Sequence, residues 1–178
     1  CRSAPTPRRS DTPVVDTVKD AEALTMTIVS DFAAEPSRVW QLWEDPRQLE
    51  RWWGPPTWPA TFYLYDFVKG GNAKYYMTGP DGTKMHGWWL FTSIDAPRSL
   101  SIDDGFADDN GDPSDEHGVT KMIATLEPST AGTRMTLTSQ FESVEQLDEM
   151  LAMPEVAKRL GVMPRTNGRT HVGPKLVN

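Results

Sequence analysis

His86 falls where the strand pattern puts it inside a sheet, whereas His117 lies in an acidic loop and His171 near the C-terminus. A lone imidazole serves as a general acid or base near neutral pH, and Tyr75 or Asp103 can orient it. A histidine that is only hydrogen-bonded is the simpler account, so His86 is a catalytic candidate and no other residue is assigned that role. There is no G-x-S-x-G nucleophile elbow, H-E-x-x-H pair or phosphate-binding loop, so hydrolysis through a covalent serine or cysteine is not expected.

Large side chains crowd around this histidine. Tyr75, Tyr76, Met77, Met85, Trp88, Trp89 and Phe91 occupy two strands joined by a Pro80-Asp81-Gly82 turn. Alternation sends half of them to each face, and Tyr75, Met77, His86, Trp88 and Leu90 are expected to share the inner one. Core packing explains such a group most simply. A methionine and aromatic lining with one histidine also suits a flat apolar ligand that needs a single oriented hydrogen bond.

Two further stretches draw the eye. RWWGPPTWPATF, residues 51–62, holds three of the seven tryptophans and three of the fifteen prolines. Trp52 and Trp53 mainly wedge a helix end against a sheet, with Trp53 also placed to rim a pocket on which a ligand ring stacks. The loop DDGFADDNGDPSDEHG carries Asp103, Asp104, Asp108, Asp109, Asp112, Asp115 and Glu116, yet its spacing fails the alternating ligands and terminal glutamate of a calcium loop. It reads as a solvated loop, with no metal expected, and Phe106 within it is placed to act as a lid over a pocket mouth.

Composition narrows the class. The 178 residues suffice for one domain with a real core. A net charge of -7 and no central basic cluster argue against a nucleic-acid partner. No window approaches the roughly 18 apolar residues of a membrane span. Cys1 is the one cysteine, which excludes an internal disulfide and a cysteine metal site, so a cytoplasmic location is expected. Lipid anchoring through Cys1 is the alternative, without a signal peptide to support it.

These side chains need elements to position them. Residues 1–20, rich in proline and basic residues, read as a disordered leader. Leu24, Met26, Ile28 and Phe32 alternate as in a half-buried strand. Pro36 then opens a helix with Val39, Trp40, Leu42 and Trp43 on its apolar stripe. Asp45, Pro46 and Gln48 start a second short helix, which Gly54, Pro55 and Pro56 end. Turn signals divide the next stretch into six strands near 60–68, 71–78, 84–94, 99–105, 119–127 and 132–141. Ser143 and Gln146 cap a third helix with Val144, Leu147, Met150 and Leu151 facing inward. The result is an α+β domain over 21–161, with a curved antiparallel sheet of about seven strands around the C-terminal helix, and a flexible tail over 162–178.

The residues FAAEPSRVWQLWEDPRQLERWWGP, the Gly70-Gly71 turn, the hairpin YYMTGPDG and the closing GTRMTLTSQFES resemble the family named after the activator of the heat-shock-protein-ninety ATPase. That family is part of the START-like, or SRPBCC, superfamily with its helix-grip fold. The resemblance spans about Leu24 to Met153. It implies a deep apolar pocket between sheet and C-terminal helix, and ligand binding as its commonest use. Pro154 departs from the long unbroken final helix of the family, and a kink is expected there. Direct chaperone activation is not expected, because the co-chaperone that names the family makes its main contact through an added N-terminal domain and only about 20 residues precede the first strand here.

Together these observations lead to the expectation of a domain that binds a small hydrophobic or aromatic ligand without a cofactor. The expected lining is Trp53, Tyr75, Met77, His86, Trp88, Phe106, Met122, Met135, Leu137 and Met150. Two alternatives stand beside it: an enzyme of the cyclase or dehydratase kind with His86 as acid or base, and a chaperone-related interaction module using Trp58 and the Pro55-Pro56 turn. A homodimer through a sheet edge or the tail is compatible with the sequence and not required by it.

Overall fold

Period-two alternation between Ala60 and Gln140 becomes six consecutive antiparallel strands in the computed structural model, which describes residues 14–53, 57–116 and 118–152. These are β3 (Ala60–Tyr65), β4 (Asn72–Thr78), β5 (Lys84–Asp95), β6 (Ser99–Ala107), β7 (Val119–Ser129) and β8 (Gly132–Gln140), preceded by β1 (Val14–Asp20) and β2 (Thr25–Phe32). Helices α1 (Pro36–Glu44) and α2 (Pro46–Leu49) join β2 to β3, and α3 (Val144–Ala152) follows β8. The curved sheet runs β1-β2-β8-β7-β6-β5-β4-β3, consistent with the expected helix-grip architecture.

β1 corrects the sequence expectation, which assigned residues up to 20 to a leader and counted about seven strands. Its pattern is inverted for an amphipathic strand: Thr17 and Lys19 share the inner face with Ile28 and Met26, while Val18 is 49% exposed. Backbone pairing from Thr17–Ile28 to Asp20–Thr25 holds it, and Lys19 reaches Asp148 of α3 at 3.3 Å. Residues 1–13, Gly54 to Pro56, Pro154 and the tail 162–178 lie outside the described residues.

The inner face carries the core. Met26, Ile28, Phe62, Ala73, Tyr75, Trp89, Phe91, Ile102, Met122 and Leu137 are all buried there, as alternation requires. α1 covers one end with Val39, Trp40 and Trp43, and the fully buried Trp43 donates its indole N–H to Met135 Sδ at 3.3 Å. α2 starts as expected, with Asp45 accepting from the Arg47 N–H at 2.9 Å. Across the sheet, Gln146 N–H donates to Ser143 Oγ at 3.0 Å, and the Gln146 side chain reaches the Val119 carbonyl. Leu147 is buried beneath α3, whereas Val144, expected inward, is 45% exposed on its first turn.

Three hydrogen bonds fasten α1 and α2 to the far edge of the sheet. Tyr65 donates its hydroxyl to the Trp43 carbonyl, one of the last carbonyls of α1 that lack a helical partner. Burial, then the charges of Asp45 and Glu44, push this hydroxyl well above the ordinary tyrosine range. At the edge strand β3, Glu50 Oε1 accepts the Phe62 N–H and Arg47 donates to the Phe62 carbonyl, both at 2.8 Å. The two side chains pair with each other at 3.1 Å, so an ion pair stands where a ninth strand would add.

These contacts have measurable consequences. The folded chain holds the Tyr65 proton more tightly than the unfolded chain, so that contribution is complete below about pH 10 and lost as pH rises further. Tyr65→Phe should cost about 1 kcal/mol at neutral pH and flatten the loss of stability above about pH 10, read by denaturant unfolding across pH. Glu50→Ala exposes the Phe62 N–H, and concentration-dependent self-association by sedimentation velocity is the expected result. A variant that stays as monodisperse as the parent would show that the pair does not guard the edge.

Candidate functional site

The register decides which expected residues meet. Tyr75 pairs with Gly87, Met77 with Met85 and Ala73 with Trp89, so odd-numbered residues of β5 share the inner face. His86 and Trp88 therefore lie on the outer face, opposite Tyr76 and Lys74, and the expectation that they face inward with Tyr75 is corrected. There Tyr76 stacks on Tyr63 with ring centroids 6.1 Å apart and touches His86 at 5.6 Å, and the Lys84 ammonium lies 4.4 Å above the Tyr76 ring. Trp88 rests on Gly105, where an added Cβ would stand 2.6 Å from the indole.

Of the other expected residues, Trp53, Tyr75, Met77, Phe106, Met122 and Leu137 are on the inner side of the sheet or packed against its core. Met135 is inside too but is taken up beneath Trp43. The Met150 side chain lies outside the described residues. Trp53 stands edge-on to Trp89, with centroids 4.6 Å apart at 89°, and meets Tyr75 at 6.3 Å. The expected wedge thus exists, with a wall of aromatic rings behind it.

A carboxylate that the sequence reading counted as loop sits in this wall. Asp104 is 5% exposed, and its Oδ1 accepts from the Tyr75 hydroxyl at 3.2 Å and from the Trp89 indole N–H at 3.1 Å. Tyr75 reaches it by lying across β5 over Gly87, where an added Cβ would come within 2.5 Å of the ring. Glycine at that position is what allows a tyrosine of β4 to bond an aspartate of β6. Across the register from Asp104 stands Thr120, 3% exposed, whose hydroxyl has no hydrogen-bond partner. The alternation Leu100, Ile102, Asp104, Phe106 was the available signal that Asp104 points inward.

With fold and site in view, comparison with known proteins places the chain. The family model of Activator of Hsp90 ATPase homolog 1-like protein matches residues 33–161. The chain belongs to this family. Its fold also matches a protein from Arthrobacter aurescens, solved by NMR in solution, at 56% identity, with 83% of this chain and 89% of that chain covered and a TM-score of 0.75. A crystal structure of a Mycobacterium smegmatis protein matches at 43% identity, covering 83% and 92%, with the same TM-score of 0.75. An AHSA1 protein from Silicibacter pomeroyi, at 20% identity over 76% and 94% with a TM-score of 0.60, shares the fold alone. No match is found among curated proteins.

Among the described residues no group of histidine, cysteine or acidic side chains could hold a metal ion. Likewise no described helix is long and apolar enough to cross a membrane. The chemistry on the inner face is hydrogen bonding within an aromatic wall. Tyr75→Phe and Gly87→Ala should each cost about 1–3 kcal/mol, one by removing a donor to Asp104 and the other by displacing that donor. Because both act on the same bond, the double variant should cost less than the sum, measured by urea unfolding.

Proposed function

We propose that this START-type domain binds a small apolar or aromatic molecule between the concave face of its sheet and the C-terminal helix, as a carrier or sensor rather than a catalyst. The observation that supports this is Asp104, a carboxylate set among Trp53, Tyr75, Trp89, Phe106 and Met122. A domain that only needed a core would be served at least as well by an apolar residue, since burying a carboxylate is costly even when it is hydrogen-bonded. A polar point in an apolar wall is how ligand sites fix orientation. Trp53, Tyr75, Met77, Phe106, Met122 and Leu137 are the proposed lining.

The enzyme alternative loses its support with the position of His86. A side chain on the outer face cannot pass a proton to a molecule held on the inner one. The interaction-module alternative is not favoured either, because Trp58 is half-buried with its ring over Gly79.

Native mass spectrometry of protein purified from its own host, compared before and after denaturation, tests the proposal. A released small molecule with an apolar body is the expected outcome. Equal masses, together with no binding of apolar probes by the purified chain, would overturn it.

A further inference from the structure

Two side chains of the inner face bear on the polar end of the bound molecule. Thr120 and Asp104 face each other across β7 and β6 on the inner side of the sheet. The Thr120 hydroxyl is buried and unpartnered, an arrangement that costs free energy as long as nothing meets it. Its neighbours on the same face are Met122 along β7 and Phe106 and Ile102 along β6. This unpartnered hydroxyl thus lies beside a buried carboxylate and within apolar walls.

Resting on the binding proposal above, we propose that Thr120 is the docking point for the ligand and that Asp104 sets its class: an apolar molecule bearing a hydroxyl or amine group, rather than an acid. A hydroxyl both donates and accepts, so it can pair with the Thr120 oxygen. The carboxylate, fixed by Tyr75 and Trp89, favours a group that presents hydrogen. It repels an anionic head, because like charges in a poorly solvated site interact strongly. Tyr75 and Gly87 act as positioning residues for Asp104, the first by its hydrogen bond and the second by leaving room for the tyrosine ring.

Three probes with one ring system separate the terms: naphthol, naphthoate and methylnaphthalene, titrated into the full chain by calorimetry. The parent should prefer naphthol over methylnaphthalene by roughly tenfold, the worth of one well-made hydrogen bond, and should bind naphthoate most weakly. Thr120→Val, nearly the same shape, should erase the preference for naphthol while leaving methylnaphthalene unchanged. In the empty protein the same change should raise the melting temperature by about 2–4 °C, because it removes an unsatisfied hydroxyl. A hydroxyl that only supports the fold would instead lower it. Asp104→Asn should restore part of the naphthoate binding, with circular dichroism to confirm the fold. If all three probes bind the parent equally, the docking point is overturned and the apolar site stands. If none binds the parent, both proposals fall.

Discussion

Burial of one curved face of an eight-stranded sheet is the constraint on which the rest of this structure depends. Tryptophan does much of the covering. Trp43 comes down from α1 onto Met135, Trp53 follows α2 onto Trp89, and the two indoles approach each other to 6.5 Å. Edge-to-face contacts recur through this group because they place ring edges against ring faces. α1 and α2 are nine and four residues long. Helices so short hold little stability of their own; Tyr65, Glu50 and Arg47 tie them to the β3 side of the sheet.

Much of this architecture was legible. Glycine and proline punctuation marked every turn of the meander, and Pro36 and Pro46 marked the two helix starts, because these residues act through backbone geometry that no tertiary contact overrides. What failed was the facing of β5. Trp88, Trp89, Leu90 and Phe91 are consecutive large apolar residues, so alternation alone offers no choice of face. Five residues, 79–83, separate the paired Thr78 and Lys84, and an odd connection pairs odd positions with odd ones. That count, joined to Tyr75, would have sent Trp89 inward and His86 outward.

β1 and Asp104 were missed for opposite reasons. β1 has little amphipathic pattern, because an edge strand held by backbone pairing needs few apolar side chains facing in. Asp104 had the correct spacing, but six other carboxylates in its neighbourhood gave it the look of solvated loop. Period two along β6 outweighs local composition: Ile102, Asp104 and Phe106 point the same way whatever the loop beyond them contains.

Three glycines of the sheet region lie under aromatic rings: Gly79 under Trp58, Gly87 under Tyr75 and Gly105 under Trp88. Each glycine and its ring form a unit, since a methyl group at the first would occupy the space of the second. Neither partner is then free to drift by itself over generations. Among descendants of a common ancestor, loss of the glycine should be found where the ring has already shrunk, so that these six positions leave a trace of paired change in the family's history.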